Sequence, residues 1–246
     1  MLVQLDRVSF QYSGHPPVLR DINLSLQTGE ICALVGRSGV GKTTLLKLVN
    51  GLLLPTAGTV LVEGRETRLW DGIRLRRRIG YVFQDVGLFP HMTVEENVSI
   101  VPRLEKWAPA RARARAHELL DLLGLPSASF AGRRPPALSG GQRQRVGLAR
   151  ALAADPSILL MDEPFGALDP LTRSEVRQEF ARVQTQLHTT VIIVTHDIAE
   201  AFALAGRVGV VDRGELLIYD TPRNVASSGD PRVRAFIDAV PPRLPH

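Results

Sequence analysis

The sequence predicts an α/β fold: a mixed, largely parallel sheet with an antiparallel β part at its N-terminus and a helical part inserted into it. Three observations carry this. Short apolar runs at 31–35, 158–161 and 191–194 read as strands buried on both faces, and helical sequence precedes the later two. Residues 2–10 and 18–26 alternate apolar and polar around a Gly14-His15-Pro16-Pro17 turn, as an antiparallel pair does. From about 88 to 150 the chain becomes rich in helix formers, which marks the insertion.

In chain order, Gly29-Glu30 turns into the first buried run, and Gly36-Arg37-Ser38-Gly39-Val40-Gly41-Lys42-Thr43-Thr44 follows it. This stretch matches GxxxxGK[ST]. Its glycines let backbone N–H groups converge on one hollow that holds phosphate oxygens. Lys42 would reach the β- and γ-phosphates and the Thr43 hydroxyl would ligate Mg²⁺. A helix over 44–49 points its positive end at the same hollow and ends near Asn50-Gly51. Short strands are expected at 60–62 and 79–83. Pro109 opens a helix over 110–123, which Gly124 closes.

Further chemistry sits at strand and helix ends. Asp162-Glu163 directly follows the 158–161 run, where ligands of open α/β sheets bind. Asp162 suits the Mg²⁺ shell, and Glu163 suits a base that orients and deprotonates water. His196 and Gln84 also follow strands; a neutral amide at Gln84 can ligate Mg²⁺ or water without adding charge. Leu138-Ser139-Gly140-Gly141-Gln142 opens a helix expected over 142–154, a second helix end able to grip an anion. One nucleotide bound within one chain would hardly use two such ends. The second end is therefore expected to complete the first site of another copy.

The bulk properties exclude several classes. Of 246 residues, 44% are hydrophobic and 22% charged, an ordinary globular balance, and mean hydropathy is +0.02. No apolar run approaches the roughly 18 residues that span a bilayer, and the N-terminus does not read as a signal peptide. The chain is thus expected to stay on the side of the membrane where it is made. The single cysteine, Cys32, lies in an apolar strand and reads as a buried free thiol. Net charge is +5, but Arg is the general basic residue: the 30 basic side chains include only Lys42, Lys47 and Lys106. Arg74, Arg76, Arg77 and Arg78, and Arg111, Arg113 and Arg115, therefore read as solvated helix faces rather than a nucleic-acid groove.

The phosphate loop, Gln84, Leu138 to Gln142, Asp162-Glu163, Gly166-Ala167-Leu168-Asp169 and His196 together resemble the ATPase subunits of ABC transporters in order and spacing, to about residue 222. The resemblance implies a P-loop NTPase core, ATP with Mg²⁺, and a head-to-tail dimer holding two ATP molecules. It implies that Ser139 and Gly141 meet the partner copy's γ-phosphate and that Tyr12 stacks on adenine. Gly140, Gln142 and Asp169 join the nucleotide-contacting set. Gly166 stands where Ser is commoner. A narrower likeness in 79–107, notably Gly87-Leu88-Phe89-Pro90-His91-Met92-Thr93-Val94-Glu95-Glu96-Asn97-Val98 and Lys106-Trp107, is to ATPases of importers for glycine betaine, choline and carnitine.

It implies a peripheral subunit on the cytoplasmic face of the cell membrane, bound through the segment after Gln84 to a separate permease. A solute-binding protein is an indirect partner, and no nucleic acid is expected. The expected organisation is one ATPase domain over 1–222, with the helical insertion at 88–150, then a short tail over 223–246 without the regulatory domains that many relatives carry. An amino-acid or oxyanion importer remains an alternative, as do a soluble ABC ATPase acting on DNA or ribosomes and a nucleotide sensor without catalysis.

Overall fold

The computed structural model describes residues 1–238. Its elements run β1 (Val3–Gln11), β2 (Pro17–Leu26), β3 (Ile31–Val35), α1 (Lys42–Val49), β4 (Ala57–Val62), β5 (Arg65–Glu66), α2 (Gly72–Arg78), β6 (Ile79–Val82), α3 (Val94–Val98), α4 (Ile100–Leu104) and α5 (Pro109–Leu122). There follow α6 (Ser127–Phe130), α7 (Gly140–Leu152), β7 (Ile158–Asp162), α8 (Pro170–Leu187), β8 (Thr190–Thr195), α9 (Ile198–Leu204), β9 (Arg207–Asp212), β10 (Glu215–Asp220), α10 (Pro222–Ala226) and α11 (Pro231–Ile237). The described residues form two compact units: Met1–Gly72 with 192–238, and Ile73–Val191.

In the first unit the alternating N-terminal segments pair antiparallel as expected, in a sheet ordered β2-β1-β4-β5. Val3, Leu5, Val8 and Phe10 are buried, so one face of β1 is core. The register slips between Leu5 and Val8, where Arg7 has φ 48°. Its amide is not orphaned, because it donates to Asn23 Oδ1 at 2.9 Å. Asp21, at φ 47°, likewise donates its amide to Ser9 Oγ at 3.0 Å. Side chains thus satisfy the amides that an irregular ladder releases.

The same unit holds strands ordered β10-β9-β3-β8. β3 and β9 are parallel, and β9 and β10 form an antiparallel hairpin. The hairpin is absent from the sequence reading, yet its signal is present: Arg213-Gly214 between two apolar runs, with φ of 48° and 81°, is the two-residue turn that follows strand twist. Cys32 is fully buried beside Tyr219, and burial pushes its thiol up to about 12, so it is an inert core residue.

In the second unit β6 and β7 pair in parallel, with Val82 opposite Met161. Gly80 lets α7 approach this pair: a Cβ there would lie 2.4 Å from the Ala151 carbonyl oxygen. The expected helical stretch supplies α3 to α7, beginning at Val94 rather than near 88, because residues 84–93 form a loop. Pro109 does open α5, and Gly124 follows it at φ 69°. The two Arg clusters lie on α2 and α5 and are partly neutralised: Arg77 meets Glu105 at 3.2 Å, Arg113 meets Glu95 at 3.2 Å, and Arg115 meets Asp155 at 2.6 Å. Beyond Asp220 the described part of the expected tail forms α10 and α11; its last residues, 239–246, lie outside the described residues.

Gly58 is the tightest backbone approach in the antiparallel sheet: it has φ 76°, and a Cβ would meet the Arg7 carbonyl oxygen at 2.2 Å. Gly64 has φ 74° but open space around it. Gly58→Ala is therefore expected to cost about 3 kcal/mol and lower Tm by roughly 5–10 °C, and Gly64→Ala to cost only the roughly 1 kcal/mol of backbone strain. Thermal unfolding followed by circular dichroism checks the ranking; equal losses would refute it.

Candidate functional site

The first unit carries the glycine-rich loop between β3 and α1. Gly36 is required by a neighbour, since a Cβ would stand 2.3 Å from the Val211 carbonyl oxygen. Gly39 and Gly41 are required by conformation, with φ of 82° and 105°. α1 begins directly after Gly41, two residues before the expected start. No side chain caps that end, and its first turn has no acidic residue, so its amides face the hollow without a built-in anion. Lys42 is buried, and its Nζ donates to the carbonyls of Gly36 at 2.7 Å and Arg37 at 3.0 Å. The cation is thereby held inside the loop it serves. A cradle of this shape, cationic and lined by amides, fits a polyphosphate.

Two other expected residues belong to this unit. Tyr12 follows β1, is 42% exposed, and meets Phe10 edge-on at 4.8 Å with an interplanar angle of 88°, which leaves a ring face available for stacking. His196 is exposed just past β8. Its neighbour Asp197 caps α9, accepting from the amides of Ala199 at 2.9 Å and Glu200 at 3.1 Å, and so fixes the turn that carries His196.

The second unit gathers the remaining residues. Because β6 and β7 are parallel with Val82 opposite Met161, Gln84 and Asp162-Glu163 emerge from the same end of adjacent strands. The Tyr81 hydroxyl donates to Asp162 Oδ2 at 3.3 Å. Burial, then the charge of Asp162, raises the phenol well above its ordinary pKa, so it stays a donor and steadies the carboxylate. The sequence reading missed Tyr81; the strand pairing that brings it beside Asp162 was the only signal. Glu163 has φ 44°, a left-handed backbone that a non-glycine residue holds at a cost of roughly 1 kcal/mol. The amide of Gly166 donates to its carbonyl at 3.2 Å. Space remains at Gly166, where a Cβ would stand 3.6 Å from Glu163 Oε2, so a residue larger than Gly is not sterically excluded there.

α7 starts at Gly140, not Gln142, because Ser139 is its N-cap. The Ser139 hydroxyl accepts from the Gln142 amide at 3.3 Å, and Gln142 Oε1 accepts from the Ser139 amide at 2.9 Å. Both residues are thus held by a capping box, with Ser139 and Gly140 exposed at the tip. Gly141 has a second duty: a Cβ there would strike Thr172 Cγ2 at 2.4 Å, so the glycine admits α8. Asp169 caps α8, accepting from the Thr172 amide at 3.1 Å, and its hydrogen bonds with Thr172 hold its carboxyl below the usual range. Within this unit Gln84 and Asp162 offer an amide oxygen and a carboxylate, and within the first unit Thr43 offers a hydroxyl, each an oxygen donor of the kind that Mg²⁺ takes. Among the described residues no cluster of three or more His, Cys, Asp or Glu could by itself hold a metal ion, and no helix is long and apolar enough to cross a membrane.

Comparison with known proteins identifies the family. The family described as ABC transporter matches residues 19–166. The chain is 44% identical, over 96% of its length and 62% of the relative's, to the choline transport ATP-binding protein OpuBA of Bacillus subtilis (strain 168). It is 47% identical, over 90% of its length and 71% of the relative's, to the glycine betaine uptake system ATP-binding protein YehX of Escherichia coli (strain K12). A dimeric structure of the ATP-binding cassette MJ0796, in a post-hydrolysis state bound to ADP and Pi, matches with a TM-score of 0.78 and 35% identity, over 90% of this chain and 99% of that one. The chain spans about three fifths of the length of the first curated relatives it matches.

Gly41→Ala forces a side chain onto a φ of 105° at the lip of the cradle, 2.7 Å from Leu19 Cδ2. Affinity for a fluorescent nucleoside triphosphate is expected to fall about tenfold or more, from a strain of roughly 1–3 kcal/mol. Unchanged affinity in a direct titration would remove this loop from the binding site.

Proposed function

Since this chain belongs to the ABC transporter family, we propose that it is the ATP-hydrolysing subunit of an importer and powers uptake of a quaternary-amine osmoprotectant through a separate membrane permease. The observation that carries the enzymatic part is the preformed loop, with buried Lys42 and an uncapped α1 end, in one chain with the Asp162-Glu163 pair. The solute follows from the 44–47% identity to relatives named for choline and glycine betaine.

The loop amides from Gly36 to Thr44 and the Lys42 ammonium bind the triphosphate, and Tyr12 stacks on the adenine. Thr43, Gln84 and Asp162 would be the residues that hold Mg²⁺, which when bound would offset the negative charge of the phosphates. Water attacks the γ-phosphorus in line as the bond to the β–γ bridging oxygen breaks, giving ADP and inorganic phosphate. Glu163 accepts the water's proton, and His196 orients water and γ-phosphate toward each other. The helix end formed by Ser139, Gly140, Gly141 and Gln142 of a second copy meets the γ-phosphate from the opposite side, with Asp169 close by. ATP binding thereby closes a head-to-tail dimer, and hydrolysis reopens it. The permease receives this motion at the segment after Gln84, on the cytoplasmic face of the membrane. A solute-binding protein supplies the solute from the other side, and nucleic acid has no part.

Glu163→Gln keeps the shape of the side chain and removes the base. Turnover is expected to fall by roughly 10² or more, with ATP affinity within about threefold. Near-normal phosphate release in that variant would remove Glu163 from the role of base.

Affinity capture of the tagged chain from detergent-solubilised membranes of its own host tests the partners. Recovery of a permease together with a quaternary-amine-binding protein is expected. An unrelated permease would overturn the solute assignment, and ribosomes or DNA-repair proteins in its stead would overturn transport.

A further inference from the structure

Arg150 is the least expected charge in the second unit. It lies near the C-terminal end of α7 and is only 8% exposed. Burial lowers the pKa of its guanidinium, and among the described ion pairs none involves it. It is satisfied by backbone: Nη1 donates to the Gly87 carbonyl at 2.7 Å and Nη2 to the Val86 carbonyl at 2.5 Å. A planar fork spanning two successive carbonyls fixes position and direction together, which a single point donor does not.

One helical turn earlier on the same face, Gly147 meets the same loop. A Cβ there would lie 2.5 Å from Val86 Cγ1, so glycine is what lets the loop lie against α7. The far side of the loop is fastened too. Asn97 of α3, fully buried, accepts from the Phe89 amide at 2.8 Å and donates to the carbonyls of Phe89 at 3.1 Å and Thr93 at 2.9 Å. The loop that starts with Gln84 is thus bound to α3 at one end and to α7 at the other. α7 is an uninterrupted helix of 13 residues, about 20 Å long, and Ser139 caps its opposite end.

We propose that Arg150 is a positioning residue that locks the 84–88 loop to α7, so that Gln84 and the Ser139 helix end move as one body. Pressure applied by a partner on the loop is then delivered to the helix end that meets the second copy's γ-phosphate. This rests on the ATPase reading above and adds to it the part that carries motion from the docking segment to the site.

The distance that makes Gly147 necessary also supplies the test. A Cβ at 147 would stand 3.8 Å from Val86 Cβ, about the separation found across disulfides. Val86→Cys with Gly147→Cys can therefore replace the arginine clamp by a covalent one, and Cys32, the only natural thiol, is buried. In the full-length Arg150→Met chain, amide exchange at 86–88 is expected to accelerate about tenfold or more while the centre of α7 stays protected. ATP affinity should hold within about twofold, and kcat should fall about tenfold or more with KM nearly unchanged. Arg150→Lys, which keeps the charge and loses the fork, should shift both readouts in the same direction and serves if the Met variant does not fold. Adding the oxidised cysteine pair to Arg150→Met should restore loop protection and turnover together, and reduction should abolish both. Full turnover in Arg150→Met, or a tether that restores protection but not turnover, would overturn the proposal. Unaltered exchange at 86–88 would also overturn it, whatever the chain hydrolyses. A wild-type chain without phosphate release would refute the ATPase reading alone, since the exchange measurement still decides whether Arg150 holds the loop.

Discussion

Between Gly36 and the Val211 carbonyl oxygen there is no room for a single carbon: a Cβ would lie 2.3 Å away. The loop that leaves β3 at this point takes up the Lys42 ammonium with its own carbonyls, from Gly36 and Arg37. A buried cation would ordinarily be expensive, and here it is solvated by the backbone it stabilises. The uncapped start of α1 faces the same hollow. Loop, helix end and lysine thus converge on one hollow that only a glycine at 36 permits beside Val211, and the chemistry proposed for the chain depends on it.

The second unit meets a different requirement, which is to carry polar groups at the ends of rigid elements. Parallel pairing of β6 and β7 sends Gln84 and Asp162-Glu163 out of one edge, and Tyr81 anchors Asp162 across the pair. α7 holds Ser139 by a capping box at one end and the 86–87 carbonyls by Arg150 at the other. Glycines in this unit are mostly packing residues. Gly80, Gly141 and Gly147 each remove a Cβ that would collide with a neighbouring element, at 2.4, 2.4 and 2.5 Å respectively. Gly141 illustrates how one residue answers two demands, being part of the turn proposed to grip an anion and the site where α8 is admitted.

Much of this was legible in the chain. Alternation in the first 26 residues gave the antiparallel pair, since a period of two can bury only one face. Apolar runs gave β3, β7 and β8, and the glycine-rich loop, the acidic pair and the Ser-Gly-Gly turn suggested the chemistry proposed above because each needs fixed residue types at fixed spacing. The β9–β10 hairpin escaped because its strands lack clean alternation, although Arg213-Gly214 marks its turn. Two helix starts moved by two residues: at Gly140, where Ser139 caps the helix, and at Lys42, where the helix begins directly after Gly41 without a side-chain cap.

The sequence by itself determined which groups are available: the phosphate loop, the carboxylates, the second helix end and the class of protein they resemble, all of them local patterns. Only the tertiary structure decided which groups hold the others in position. Tyr81 on Asp162, Asn97 under the 89–93 loop and Arg150 under Val86 and Gly87 join residues 81, 4 to 8, and 63 to 64 positions apart. Even the nearest of these depends on a loop folding back over its own helix. Hydrogen bonds require contact within about 3 Å, and contact between residues distant in the chain is a property of packing, which no single stretch of sequence encodes.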